Sequence, residues 1–180
     1  MKTTKKIISI LCALLVCVSL FTSIANAAAT LPILKMDGSN NTKTNVSVLQ
    51  RMLTCAGYST KGVDGIFGDN TEKAVENFQK KNNLTQDGIV GTKTWDKLIS
   101  KCGVLKNGSK GDIVKLIQQI LNKLGYNCGK ADGKFGDKTE EAVKAFQKAK
   151  GLKQDGKVGP KTWKALLTTC FSKYSTWVVK

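Results

Sequence analysis

Apolar residues recur at the i, i+3, i+4, i+7 spacing of an amphipathic helix in three stretches of the chain. The positions are Leu49, Met52, Leu53 and Ala56 in the first stretch, Thr71, Ala74, Val75 and Phe78 in the second, and Trp95, Leu98, Ile99 and Cys102 in the third. This pattern predicts three short helices whose apolar faces can close around a small core.

The same pattern is written a second time, 68 residues further along the chain. Residues 114–166 match residues 46–98 without a gap, and about half of the paired positions are identical. The second set of apolar positions is Ile117, Ile120, Leu121 and Leu124, then Thr139, Ala142, Val143 and Phe146, then Trp163, Leu166, Leu167 and Cys170. The chain is therefore predicted to be all-α, with two tandem small three-helix bundles.

Glycine and aspartate separate the predicted helices. Gly57-Tyr58 and Gly125-Tyr126 follow the first helix of each copy, where glycine favours a left-handed helix end. Four Asp-Gly loops follow, at Asp64–Gly68, Asp87–Gly91, Asp132–Gly136 and Asp155–Gly159. The second helix has two possible starts: the last loop glycine can be its cap, or the next aspartate can begin a capping box.

The N-terminus has the features of a secretory signal peptide. Lysines precede an apolar run over 7–21, and Ala25-Asn26-Ala27 offers a cleavage site. The run is about fifteen residues long and a membrane span needs about 20, so we expect export without stable membrane insertion. A lipoprotein signal fits less well because Val16, which is not a small residue, precedes Cys17.

These features divide the chain into six segments. They are a signal peptide over 1–27, an N-terminal lead-in over 28–44, the first copy over 45–102, a linker over 103–111, the second copy over 112–170 and a C-terminal tail over 171–180. In the tail, Phe171, Tyr174 and Trp177 recur every three residues. They can extend the last helix or form an exposed aromatic patch, and packing is the favoured interpretation.

The charge of the chain is strongly positive and uneven. The formal net charge is +16, and about +13 remains once the three lysines of the signal peptide are removed. Residues 105–170 hold 14 Lys and Arg against 6 Asp and Glu, whereas residues 45–101 hold 8 against 6. A positive field attracts anionic polymers. For an exported protein, we expect these to be wall phosphates and peptide carboxylates rather than nucleic acid.

Four cysteines follow the signal peptide, at Cys55, Cys102, Cys128 and Cys170. An even number in an exported chain favours disulfides. Cys102 and Cys170 are equivalent positions, while Cys55 and Cys128 each lie near the Gly-Tyr pair of their own copy. This predicts one disulfide in each copy, Cys55 with Cys102 and Cys128 with Cys170, each worth about 4 kcal/mol in the chain-entropy model.

The motifs that repeat in both copies resemble the type 1 peptidoglycan-binding domain. In the first copy they are Val48-Leu49-Gln50, Gly57-Tyr58, Asp64–Gly68, Thr71, Ala74-Val75, Phe78-Gln79, Leu84, Asp87–Gly91 and Thr94-Trp95. The resemblance covers about 130 residues and implies three-helix modules that attach proteins to the cell wall. Such modules usually accompany a catalytic domain, which is not expected here because only short segments lie outside the two copies.

Catalysis is not predicted from the residue types present. The chain has no histidine, which excludes zinc amidases and cysteine peptidases or transpeptidases that need histidine. A glycan hydrolase can use carboxylates alone, but the four glutamates, at Glu72, Glu76, Glu140 and Glu141, fit the polar face of the second helix better. The Asp-Gly loops lack the ligand spacing of calcium sites. We predict no catalytic residue, metal or cofactor.

Loops around the second and third helices are predicted to bind peptidoglycan through hydrogen bonds, lysine and aromatic stacking. The candidates are Tyr58, Gln86, Asp87, Lys93 and Thr94 in the first copy, and Tyr126, Gln154, Asp155, Lys161 and Thr162 in the second. Each of these residues also has a purely structural interpretation. Trp95 and Trp163, in contrast, are assigned to the core.

The sequence therefore predicts a monomeric, non-catalytic protein that is secreted, associates with the bacterial cell wall and binds peptidoglycan with two modules. Linked modules can raise apparent affinity about 10²- to 10⁴-fold. An alternative is an accessory subunit that delivers a separately encoded wall hydrolase. A lesser alternative is a small glycan hydrolase that uses Glu72 or Glu140.

Overall fold

The computed structural model describes residues 30–173 and contains six α-helices in that range. They are α1 (Lys43–Cys55), α2 (Asp69–Lys81), α3 (Thr92–Cys102), α4 (Asp112–Leu124), α5 (Asp137–Ala149) and α6 (Pro160–Lys173). The described segments between helices form isolated antiparallel bridges but no strand. The all-α prediction is confirmed. No helix within 30–173 is long and apolar enough to cross a bilayer, and the predicted signal peptide lies outside the described residues.

The helix ends follow the predicted glycines. Gly57 (φ 88°) and Gly125 (φ 94°) adopt left-handed conformations after α1 and α4. The open question about the second helix is also answered, because Gly68 caps α2 without a side-chain hydrogen bond and Asp69 is the first helical residue. The aspartate therefore acts through its charge at the positive end of the helix dipole, and no capping box forms.

The two tryptophans anchor the third helix of each copy. Trp95 and Trp163 are both 0% exposed, which confirms their assignment to the core. The Trp95 indole donates a hydrogen bond to the Pro32 carbonyl at 2.8 Å, and the Trp163 indole donates to the Gly103 carbonyl at 3.3 Å. Each tryptophan thus holds the segment that leads into its copy.

Both lead-in segments add a buried leucine to the helices that follow. Leu34 pairs with Val90, and Leu105 pairs with Val158, each through two backbone hydrogen bonds. These valines belong to the Asp-Gly loops between the second and third helices. The segments before α1 and α4 are therefore integral parts of the folded copies, which places them beside the loops predicted to bind ligand.

The two copies share one continuous core. Helix α1 packs against α4, and α3 packs against α6, in addition to the contacts within each copy. Phe171 at the end of α6 reaches the other copy, where its ring lies 5.8 Å from that of Trp95. The prediction of two three-helix bundles is not confirmed, because the six helices surround a common core. Phe171 extends the last helix, as favoured, whereas Tyr174 and Trp177 lie outside the described residues.

The contacts between the copies follow an approximate two-fold pattern. The end of α1 lies beside the start of its equivalent helix α4, where Arg51 and Cys55 line the same depression as Asp112 and Ile113. Across α3 and α6, the equivalent residues Asp96 and Lys164 meet each other at 3.3 Å. Contact between a residue and its own counterpart is the mark of a two-fold interface.

The four cysteines within residues 30–173 are free thiols, so neither predicted disulfide is confirmed. Cys55 and Cys102 lie side by side, and the Cys102 hydrogen bond lowers the pKa of Cys55 to about 7, while burial opposes this. Donating that bond, together with burial, raises the pKa of Cys102. The two thiols therefore form an interacting pair at the ends of α1 and α3.

The second predicted pair is arranged differently. The Cys128 sulfur contacts the Gln118 carbonyl at 3.4 Å and the Asn122 side chain at 3.2 Å. Burial raises the pKa of Cys170 to about 12. The reason for the asymmetry lies in the repeat, because the counterpart of Cys128 in the first copy is Thr60 rather than Cys55.

The shared core predicts that damage to one copy weakens both. Phe171→Ala should lower the free energy of unfolding by about 3 kcal/mol, because it removes a large side chain from the joint between the copies. Hydrogen exchange should accelerate in α1 as well as in α4. Ile66→Ala is the control, since Ile66 is 65% exposed and should change stability by less than about 0.5 kcal/mol. Loss of protection in the second copy alone would contradict the shared core.

Candidate functional site

Each Asp-Gly loop is fastened by a buried glutamine from the helix that precedes it. At the loop between α2 and α3, the Gln79 amide donates to the Asp87 carboxylate at 2.8 Å and to the Ile89 carbonyl at 2.9 Å. Its oxygen accepts the backbone N–H of Gly88 at 3.0 Å. Thr94, on the next helix, lies 3.3 Å from the same amide nitrogen. We call this group of glutamine, aspartate and threonine a glutamine latch.

Within residues 30–173 the latch occurs four times with the same atoms. The other three sets are Gln50 with Asp64 and Thr71, Gln118 with Asp132 and Thr139, and Gln147 with Asp155 and Thr162. All four glutamines are 1% exposed. The threonine always follows the aspartate by seven residues. Each latch therefore ties one helix, the loop after it and the start of the next helix together.

Hydrogen bonds within the latches lower the pKa of Asp64, Asp132 and Asp155. Hydrogen bonds from the Gln50 side chain and the Ile66 backbone lower the pKa of Asp64. Hydrogen bonds from the Lys157 backbone and the Gln147 side chain lower the pKa of Asp155, helped by nearby lysines. Within the described part of the chain, the hydrogen bonds of Asp155 fall on Oδ1. Its Oδ2 therefore remains available to a ligand.

The loop glycine is required in the second copy by both conformation and space. Gly156 has φ 68°, and a Cβ there would lie 2.5 Å from Cγ of Glu140. Glu140 itself pairs with Lys144 at 2.6 Å, and the hydrogen bond from Lys144 lowers the pKa of Glu140. A general acid for glycoside cleavage needs a raised pKa. The observed environment therefore favours a structural role for this glutamate.

A groove lies beside the latch between α2 and α3. Its volume is about 310 Å³. It is lined by Gln79, Asn83, Leu84, Thr85, Asp87, Ile89, Gly91, Thr92, Lys93 and Thr94. We call it groove one. Three of the predicted binding residues, Asp87, Lys93 and Thr94, are thus brought together, although Thr94 is only 4% exposed and its hydroxyl belongs to the latch.

An equivalent groove lies between α5 and α6, and we call it groove two. Its volume is about 680 Å³. It is lined by Val104, Gln147, Leu152, Lys153, Asp155, Lys157, Gly159, Pro160, Lys161 and Thr162. The predicted residues Asp155, Lys161 and Thr162 meet here. Thr162, like its counterpart, is buried in the latch.

The remaining candidates lie elsewhere. Tyr58 lines a separate depression of about 350 Å³ beside α2, and its ring packs edge-on against Phe78 at 5.3 Å. Tyr126 packs in the same way on Phe146 at 5.4 Å. Gln86 and Gln154 are exposed next to the grooves but do not belong to the lining. The structure therefore gathers lysine, aspartate and threonine into each groove and separates the tyrosines from them.

Sequence reasoning missed Gln79 and Gln147, which form the inner wall of the grooves. A signal was present, because a glutamine precedes each Asp-Gly loop at matching positions in both copies. The apolar wall made by Leu84 and Leu152 was also absent from the predicted binding set. In the sequence, Leu84 and Leu152 are simply two more equivalent apolar positions of the repeat.

Comparison with known proteins identifies the repeated unit. Residues 42–98 and 110–166 each match the family model described as "Putative peptidoglycan binding domain". The chain is 38% identical over 149 residues to a probable N-acetylmuramoyl-L-alanine amidase of Bacillus licheniformis, an alignment that covers 69% of this chain and 42% of that protein. It is 35% identical over 155 residues to a second amidase, CwlL, of the same organism, with the same coverage. The chain thus spans less than half the length of these relatives.

Solved structures give a partial match. A peptidoglycan-binding protein from Clostridioides difficile, solved in complex with glutamine hydroxamate, is 48% identical over 36% of this chain and 42% of that chain. The TM-score is 0.34, which is too low to establish a common overall arrangement.

The latch predicts a sharp contrast between two glutamines only seven residues apart. Gln147→Leu should lower the free energy of unfolding by about 2–4 kcal/mol, because it leaves the buried Gly156 N–H and the Lys157 carbonyl without partners. Gln154→Leu, at an exposed position of the same loop, should change it by less than about 0.5 kcal/mol. Urea unfolding measures both values, and equal effects would show that the latch does not hold the loop.

Proposed function

Because the chain belongs to the peptidoglycan-binding domain family, we propose that it is a secreted, non-catalytic protein that binds peptidoglycan through grooves one and two. The observation that carries the proposal is the recurrence of one groove at equivalent places in the two copies. Each groove combines a lysine, an aspartate that accepts a hydrogen bond from the latch glutamine and an apolar wall. The whole-protein activity of its longer amidase relatives is not part of this proposal.

The chemistry of the grooves fits sugar and peptide groups. The Lys93 and Lys161 ammonium groups can donate to carboxylates and amide carbonyls. The Asp155 Oδ2 atom can accept from peptide N–H groups and sugar hydroxyls, and Leu84 and Leu152 can contact methyl groups. Both grooves are open to solvent, so a polymer chain can enter them from outside.

The shared core supports bivalent binding. Since α1 packs on α4 and α3 packs on α6, the grooves are held at a fixed separation and orientation. Binding at the second groove then costs little additional ordering of the protein. Two weak sites on this frame can give a high apparent affinity.

The environment of the glutamates supports the non-catalytic part of the proposal. Glu140 is paired with Lys144 and accepts a hydrogen bond from Asn107. Glu72 lies against Gly88 in the equivalent place of the first copy. A Cβ added to Gly88 would lie 3.0 Å from Cγ of Glu72. These contacts make the two glutamates supports of the Asp-Gly loops.

The proposal is tested by co-sedimentation with purified peptidoglycan before and after wall phosphate polymers are removed. Lys93→Glu combined with Lys161→Glu should reduce retention at least tenfold, because each change removes an ammonium donor from one groove and puts a carboxylate in its place. The matched control is Lys101→Glu with Lys148→Glu, which makes the same change in net charge at exposed positions outside the grooves. It should retain most of the binding.

Equal loss in both double variants would show that binding depends on overall charge rather than on the grooves. Full retention by both would place the binding surface elsewhere on the protein. A lytic activity of the wild type, seen as clearing of the peptidoglycan suspension, would overturn the non-catalytic assignment.

We also propose that Cys55 and Cys102 form a disulfide in the exported protein. The two thiols already interact, and Cys55 is exposed to oxidants while Cys102 is 7% exposed. The bond would join the ends of α1 and α3 within the first copy. Cys128 and Cys170, both buried, are expected to stay reduced longer.

Two measurements test the cysteine proposal. In the reduced protein, alkylation of Cys55 should reach half its maximal rate near pH 7, since its pKa is lowered to about 7 and the thiolate is the reactive form. Cys102→Ala should move this midpoint upward because the hydrogen-bond donor is lost. After mild oxidation, mass spectrometry should find a Cys55–Cys102 linkage, and a Cys128 linkage formed first would contradict the assignment.

A further inference from the structure

The two grooves differ in charge although they share one backbone design. Groove two has Lys153 and Lys157 where groove one has Thr85 and Ile89. The lysine at the start of the third helix and the loop aspartate are common to both. Groove one therefore carries one lysine against one aspartate, whereas groove two carries three lysines against one aspartate.

The three lysines of groove two are free to meet a ligand. Lys153, Lys157 and Lys161 are exposed, and none forms an ion pair with a carboxylate among residues 30–173. The nearby Asp155 is already committed through Oδ1 to the latch and to the Lys157 backbone. The other acid near Lys157, Glu140, has Lys144 as its partner. A surplus of positive charge is therefore concentrated around one cavity.

The shape of groove two suits a group larger than a simple ion. Its volume is about 680 Å³, compared with about 310 Å³ for groove one. Groove two has an apolar wall made by Val104, Leu152 and Pro160. The corresponding wall of groove one is less apolar, because Thr92 takes the place of Pro160. Charge and apolar surface thus lie side by side in one site.

We infer that groove two is an anion-binding site, and that groove one takes an uncharged portion of the wall. The ligand of groove two bears a carboxylate or a phosphate attached to an apolar or sugar-like body. This inference rests on the proposed function in so far as both grooves contact the wall. The two grooves then recognise different chemical groups, and the duplicated modules are not interchangeable.

Exchange of the differing residues tests the inference. Lys153→Thr with Lys157→Ile gives groove two the residues of groove one, and Thr85→Lys with Ile89→Lys does the reverse. The exchanged residues are tolerated at the same loop positions in the other copy, so the fold should persist, which the urea midpoint checks. Titration calorimetry should use a disaccharide–tetrapeptide with free carboxylates, the same compound with its carboxylates amidated, and a poly(glycerol phosphate) chain.

The Lys153→Thr, Lys157→Ile variant should bind the anionic probe about tenfold more weakly, because two partly exposed charge contacts are lost. Its affinity should also depend less on salt concentration. The Thr85→Lys, Ile89→Lys variant should gain anion binding. The amidated compound should bind all variants alike. Preference for the free tetrapeptide or for the phosphate chain identifies the source of the anion.

Unchanged anion affinity in both exchange variants, while the protein still sediments with peptidoglycan, would overturn the inference and leave the proposed function intact. Failure of the wild type to bind any probe or to sediment with peptidoglycan would overturn both. A Lys101→Thr, Lys148→Thr control removes the same two positive charges at exposed positions outside the grooves. Anion binding lost equally in this control would show that only the overall charge acts, which also overturns the inference.

Discussion

The rest of the structure depends on the hydrogen bonds made by the buried glutamine of each latch. A primary amide has two donor hydrogens and an acceptor oxygen, and these satisfy an aspartate, a backbone carbonyl and a backbone N–H that would otherwise be buried or left without partners. Because four such residues are 1% exposed, an unsatisfied one is costly. The latches let short helices be joined by irregular loops without strands, and they fix the loops that border both grooves.

The second constraint is the joint between the copies. Small domains bury too little apolar surface to be very stable on their own. Here α1 is buried on nearly all sides, because it faces α2 and α3 of its own copy and α4 of the other. Trp95 and Phe171 complete the joint between α3 and α6. The same contacts that add stability also fix the relation between the grooves, so packing and function are coupled through one set of helices.

Much of the fold could be predicted from the sequence because the helices are strongly patterned. The predicted apolar stripes form the core, and the glycines end the helices where expected. The pairing of the copies could not be predicted. Val46, Val48 and Leu116 are buried, and they would be apolar whether each copy had its own core or both copies shared one. The cysteine pairing was harder still, because Cys128 stands at a position that the first copy fills with Thr60. In the site, the lysine, aspartate and threonine positions were predicted, but the glutamines read as ordinary polar residues of a helix.

The approximate two-fold relation also determines how a directional polymer can be held. A glycan strand has two different ends, as does a peptide, so a groove that binds it in one sense imposes a polarity. A half-turn about an axis perpendicular to a strand reverses the sense in which the second groove would meet it, whereas a half-turn about an axis parallel to the strand preserves that sense. Because the two copies are packed rigidly together, the frame allows only one relative direction for the chains held in its two grooves.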